Sequence, residues 1–200
     1  MAGAEAPTIR KERKIDMCDM RQDVESVLVS EEELGALCDR LAAQITEDFR
    51  DSGRDLVFVT VLKGSIMFAA DLIRRIPIPC TLEFMKVSSY GSLTQSSGFI
   101  QVHLDLKRDV KDCDVIIVED IIDSGRTLQR LSELLENRGA HTVRCCTLLD
   151  KPDRRKVNYK AHYVGTVIPD AFVVGYGLDY DEKYRNLPYV GVLAPKVYNK

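Results

Sequence analysis

The sequence predicts an α/β fold with a mostly parallel central sheet flanked by helices. Three observations carry that prediction. Short apolar runs alternate with segments of helical periodicity, and no repeat of fixed period appears. Leu56–Leu62 is apolar almost throughout, as a strand covered on both faces should be. A second such run, from Val115 to Val118, ends abruptly in Glu119 and Asp120, then Ile121, Ile122 and a third acid, Asp123.

The elements follow in order. The N-terminal arm, roughly the first 25 residues, is polar and includes the basic cluster Arg10–Lys14, read as solvated. Ser30 and Glu33 form a capping box, and a helix with Leu34, Leu37, Cys38, Leu41, Ile45 and Phe49 on one face runs to about Arg50. After the strand at Leu56–Leu62, Lys63-Gly64-Ser65 makes a tight turn into a helix stopped by Pro77 and Pro79. Thr81–Val87 is a strand, and Ile100–Leu106 reads as its hairpin partner across the long polar loop Ser88–Gly98. The strand ending in the three acids leads to a helix through Leu128, Leu131, Leu134 and Leu135, closed by Gly139. Thr142–Leu149 and His162–Val167 complete the strands. From Pro169 onward short aromatic pieces predict a small irregular subregion. With 200 residues the chain is expected to be one domain over 1–200. Its core spans roughly 30–168, and the N-terminal arm and roughly 169–200 form a hood.

Composition excludes several functions. The net charge of -3 gives no positive field for nucleic acid or an anionic membrane. No apolar run is long enough for a membrane span, and residues 1–10 lack a signal core, so a cytoplasmic location is expected. The six cysteines form no C-x-x-C pair and lack zinc spacing to His103, His141 or His162, so they read as reduced, mostly buried thiols. There is no P-loop, no complete dinucleotide fingerprint and no nucleophile elbow.

In parallel sheets, ligands sit at the carboxyl ends of the strands. There Glu119, Asp120 and Asp123 can face sugar hydroxyls or a cation. The backbone N–H groups of Ser124, Gly125, Arg126 and Thr127, at a helix start, suit a phosphate. The pairing fits a sugar phosphate.

Val115–Leu128 also resembles the phosphoribosyl diphosphate (PRPP) signature of type I phosphoribosyltransferases. Leu62-Lys63-Gly64-Ser65 resembles their pyrophosphate loop, and Ser89-Tyr90-Gly91 the flexible catalytic loop of the purine-salvage branch. Lys151 and Phe172–Leu187 resemble the base-recognition region of hypoxanthine-guanine phosphoribosyltransferases. The resemblance covers roughly residues 30–195, in family order. Arg126 stands where many relatives carry Lys, and Ser65 where some carry Gly.

The resemblance implies displacement of pyrophosphate from PRPP by a 6-oxopurine such as hypoxanthine or guanine, through an oxocarbenium-like transition state. It places the 5′-phosphate on Ser124–Thr127 and the pyrophosphate on Lys63, Gly64 and Arg185. Glu119 and Asp120 would face the ribose and Mg²⁺, with a further metal contact at Asp179. Asp123 would be the acid–base catalyst. Ser89 and Tyr90 would belong to a lid. Lys151, Phe172, Val173 and Asp179 would bind the purine, Lys151 favouring a 6-oxo over a 6-amino group because an ammonium only donates. The peptide joining Leu62 and Lys63 can be cis in that family. A homodimer or homotetramer is implied, formed through the helix after Ser65. Two alternatives stay open: a xanthine-preferring relative, and a PRPP-sensing regulator that binds nucleic acid. The net charge and the lack of a separate helical domain count against the second.

Overall fold

A computed structural model describes residues 20–89 and 100–199; of Ser89 only the backbone is described. Tyr90, most of the polar loop, the basic cluster Arg10–Lys14 and Cys18 lie outside the described residues. The elements are β1 (Val24–Val29), α1 (Glu31–Phe49), β2 (Leu56–Val61), α2 (Ile66–Ile73), β3 (Thr81–Ser89), β4 (Ile100–Leu104) and β5 (Asp114–Ile122). Then come α3 (Arg126–Asn137), β6 (Thr142–Asp150), β7 (Tyr163–Val167), β8 (Val173–Val174), β9 (Val190–Leu193) and α4 (Pro195–Tyr198).

The main sheet has the order β4-β3-β2-β5-β6-β7. Its pairings are parallel except β3 with β4, the hairpin anticipated across the polar loop. Alternation along the pleat decides the packing. β5 sends Ile116 and Val118 to one face, where Leu34, Leu41 and Ile45 of α1 and Phe68 and Leu72 of α2 cover them. It sends Val115 and Ile117 to the other, beneath Leu128, Leu131 and Leu135 of α3. A strand covered on both faces needs the unbroken apolar run seen in β2 and β5, and the terminal acids become tolerable only where the sheet opens at its carboxyl end.

α1 begins as its sequence requires. The Glu33 N–H donates to the Ser30 hydroxyl at 3.2 Å, and the Ser30 N–H donates to the Glu33 carboxylate at 2.7 Å. Replacing such a cap costs about 1 kcal/mol. From the same helix, Arg40 donates to the carbonyls of Val164 and Gly165, satisfying acceptors on the edge strand β7.

A second sheet, antiparallel in the order β1-β9-β8, occupies the region expected to be irregular. β1 begins where the segment read as a polar arm ends and fills the stretch before α1. Of its residues only Val29 is fully buried, so its sequence carries little alternation, and its partner β9 is distant along the chain. Of the described cysteines, Cys38, Cys113, Cys145 and Cys146 are buried and Cys80 partly so; all are free. Burial pushes the Cys145 thiol up to about 12. Among the described residues no helix is long and apolar enough to cross a membrane.

Candidate active site

The carboxyl end of β5 opens into a cleft of about 330 Å³. Lys63 and Gly64 line it from the β2–α2 turn, Val87 and Ser88 from the end of β3, and Glu119 to Gly125 from β5 and the following turn. Thr127 of α3 and Asp179 and Arg185 of the β8–β9 loop close the far side. A neighbouring cavity of about 440 Å³ is walled by Lys151, Arg154, Asp170, Phe172, Val173, Leu178 and Tyr198. Ile121, Asp123 and Asp179 line both, so the two spaces meet at Asp123.

At the helix start, Gly125 precedes α3 with φ +79°. The N–H groups of a first helical turn have no partner within the helix, and here the turn carrying Arg126 and Thr127 abuts the cleft. The Arg126 side chain is exposed and does not line the cleft, so its contribution there rests on its backbone.

Glu119 and Asp120 are partly buried on the cleft floor. Burial, with the charge of Asp120 alongside, pushes the Glu119 carboxyl well above its ordinary range, and its Oε2 has no hydrogen-bond partner. Burial also pushes Asp120 up to about 6, against the opposing pull of the Ile121 N–H at 2.6 Å and the Arg185 guanidinium. Two neighbouring carboxylates that resist ionisation, one with an orphaned oxygen, suit a cation arriving with its own phosphate and water ligands. Among the described residues no group of three or more His, Cys, Asp or Glu forms a ready-made metal cage. Asp179 lines the same cleft, but its carboxylate is committed to Arg185 at 2.8 Å and to the Glu182 N–H at 3.0 Å.

The raised Asp120 carboxyl has a measurable consequence. The fold favours its protonated form, so its contribution to stability is complete below the ordinary value of 3.8 and is lost as pH rises through about 6. Asp120→Asn is therefore expected to raise stability at pH 7.5 and leave it nearly unchanged at pH 4. The gain should be roughly 1–2 kcal/mol, because the carboxyl stays partly open to the cleft. Thermal unfolding at the two pH values checks this; an equal shift at both would contradict it.

Lys63 and Arg185 do reach one region, and Glu182 stands between them. Its carboxylate accepts from Lys63 at 2.9 Å and from Arg185 at 3.3 Å. Arg185 also donates to the Gly177 carbonyl at 2.7 Å, and its Nε is buried without a partner. The Leu62–Lys63 peptide is cis, as the resemblance implied. Gly64 lies so close to Asp120 that a Cβ would stand 1.5 Å from the Asp120 Oδ2. The buried Ser65 hydroxyl donates to the Val61 carbonyl, which gives this departure from the family a local role.

On the other side, Lys151 is 8% exposed, and its ammonium donates to the Ala171 carbonyl at 2.7 Å. It lies 4.0 Å from both Asp123 and Asp170. Phe172, 43% exposed, stacks on Tyr198 at 5.2 Å and meets Tyr180 edge-on at 5.6 Å. Val173 is buried in β8, and Val87 and Ser88 carry the chain to the cleft rim, just before Ser89.

Of the expected residues within the described chain, all but Arg126 and Ser89 line one or other of two adjoining spaces. Sequence reasoning did not single out Glu182, Tyr198 or Asp170. Glu182 was one acid among several, and Tyr198 a single aromatic near the C-terminus. Neither carries a local pattern.

Residues 27–181 match the model of the phosphoribosyl transferase domain family. The chain belongs to that family, and this makes it an enzyme of pentosyl transfer. Its relatives narrow the class further. It is 51% identical over 181 residues to a hypoxanthine-guanine phosphoribosyltransferase of Staphylococcus epidermidis, covering 90% of this chain and all of that one. It is 49% identical to the Staphylococcus aureus protein of the same name, over 90% and 99% of the two chains. A crystal structure of a hypoxanthine phosphoribosyltransferase from S. aureus superposes with TM-score 0.87 at 49% identity, covering 90% of this chain and 97% of that one. A Lys-to-Arg mutant of the Trypanosoma cruzi hypoxanthine phosphoribosyltransferase, in a ternary substrates complex, superposes with TM-score 0.85 at 40% identity, over 88% and 99%.

Proposed function

We propose that the protein transfers the phosphoribosyl group of PRPP to a ring nitrogen of hypoxanthine or guanine in purine salvage, giving IMP or GMP and pyrophosphate. The observation that carries this reading is the meeting of two unlike spaces at Asp123. One is lined by acids, cations and a helix start, the other by an aromatic ring and a buried lysine.

The chemistry follows from the parts. As the bond from the anomeric carbon to the pyrophosphate oxygen breaks, positive character builds on the sugar. Lys63 and Arg185 neutralise the departing anion in place of Glu182. The N–H groups around Ser124–Thr127 hold the 5′-phosphate. The purine nitrogen attacks from the far face, and Asp123 takes its proton as the new C–N bond forms. Glu119 and Asp120 face the ribose and would hold Mg²⁺, with Asp179 as a further contact. Bound there, Mg²⁺ would supply charge neutralisation of the diphosphate.

Phe172 offers the purine a stacking face. Lys151 has spent one donor on the Ala171 carbonyl, which leaves others for a 6-oxo group. The backbone of Val173 and Asp179 meets the opposite edge. Ser89 and Tyr90 belong to the lid that excludes water. The chain acts as one domain, with the core at roughly 30–168 and the hood contributed by the N-terminal arm and 169–200. A homodimer or homotetramer fits the exposed Ile66 and Met67 on α2, and a cytoplasmic location fits the free thiols.

Initial rates with PRPP, Mg²⁺ and each of hypoxanthine, guanine, xanthine and adenine test the reading. Nucleotide is expected from hypoxanthine and guanine and not from adenine. Formation of AMP at a comparable rate would overturn the role of Lys151. No product from any oxopurine would overturn the function.

A further inference from the structure

Behind the phosphate cradle stands a residue that the proposed chemistry does not use. Arg155 follows a single 3-10 turn, Pro152–Arg154, and its side chain is only 16% exposed. Its Nη1 donates to the Asp123 carbonyl at 2.7 Å. Its Nη2 pairs with the carboxylate of Asp150, itself 17% exposed at the end of β6. Its Cδ stands 3.0 Å from the place a Cβ on Gly125 would occupy, and Val157 lies 3.2 Å from the same point. Between them, the Lys156 N–H donates to the Ser124 carbonyl at 3.0 Å. Asp123, Ser124 and Gly125, which form no regular structure, are thus each held from behind by residues 155–157.

The direction of these bonds matters. In a trans peptide the C=O and the following N–H point opposite ways. A carbonyl of Asp123 pinned from behind therefore turns the Ser124 N–H toward the cleft. The Lys156 bond to the Ser124 carbonyl does the same for the Gly125 N–H. The Asp123 carbonyl is fixed at the residue whose side chain joins the two cavities. We propose that Arg155 is a positioning residue that sets the placement of Asp123 and the aim of the Ser124 N–H. Asp150 serves to balance its charge. This rests on the reading that the cleft takes PRPP and that Asp123 handles the purine proton.

The test compares Arg155→Gln, Asp150→Asn, the double variant and Arg155→Lys, with Asp123→Asn alongside. Steady-state rates are normalised to titrated active sites, with a thermal melt for each protein. The double variant leaves no unpaired charge and is expected to fold even if Arg155→Gln does not. It should still lose at least tenfold in kcat and raise the PRPP KM severalfold, with the purine KM within twofold. Arg155→Lys keeps one bond and should fall between. A double variant within twofold of wild type in both kcat and PRPP KM overturns the proposal and reduces Arg155 to a neutraliser of Asp150. If the double variant does not fold either, Arg155→Lys at wild-type rates overturns it equally. Asp123→Asn at wild-type rate would overturn the acid–base reading instead, and the PRPP KM of the Arg155 variants would then report the cradle alone.

Discussion

Asp123→Asn is expected to lower kcat for nucleotide formation by roughly 10²–10⁴, the usual worth of a positioned acid–base group. Asparagine keeps the shape and one acceptor oxygen but cannot take a proton. The site is well placed to show this cleanly. Asp123 lies where the two cavities join, and half of its side chain is exposed, so the substitution buries no new polar group. The Lys151 ammonium 4.0 Å away keeps its closer bond to the Ala171 carbonyl. The purine KM should therefore change little. The reverse reaction, pyrophosphorolysis of IMP, should slow by the same factor, because a catalyst does not move an equilibrium. A loss below tenfold in kcat would remove Asp123 from the proton path.

Gly177→Ala is expected to have the second largest effect, through geometry alone. A Cβ at this position would stand 1.9 Å from the Gly64 carbonyl oxygen, a backbone atom that cannot swing aside, and the residue has φ +102°. The conformational cost is about 1–3 kcal/mol. The clash adds a functional cost. Gly177 donates its N–H to the Arg185 carbonyl at 2.9 Å and accepts from the Arg185 side chain at 2.7 Å, while Gly64 lies against Asp120. Pushing the two glycines apart displaces the Lys63–Gly64 turn and the arginine together. The PRPP KM should rise at least tenfold and the melting temperature should fall by several degrees, about 2–4 °C per kcal/mol at this size. Gly53→Ala is the control: its φ is +68°, but nothing lies within 4 Å of the new Cβ. It should lose stability and keep the PRPP KM. Equal KM values for the two variants would refute the close-contact argument.

The main sheet was legible because its signals are local. β2 and β5 must be apolar throughout to sit between two layers of helix, and a capping box announces itself within four residues. The cleft proposed for PRPP could be located from sequence for the same reason: β5, the turn and the start of α3 are contiguous. β1 was not legible. Its residues alternate weakly, and its pairing with β9 joins the two ends of the chain. Glu182 was missed because its importance comes from two cations, Lys63 and Arg185, only one of which is nearby in sequence. Arg155 carries no sequence signal of its own: it stands in a run of basic residues, and only the fold shows its guanidinium turned inward. Such residues act through neighbours that sequence order does not place beside them.

The two halves of the site hang on elements of very different permanence. β5 is hydrogen-bonded on both edges and covered on both faces, whereas the wall proposed for the purine depends on β8, of two residues, and α4, of four. Amide hydrogen exchange should follow that division, slowest at Val115–Val118 and fast at Phe172 and Tyr198. Small openings of the native state would then release the base side while the sugar-phosphate side stays formed. On the proposed assignment, a molecule built this way would keep a standing socket for PRPP and assemble the wall for the base around it.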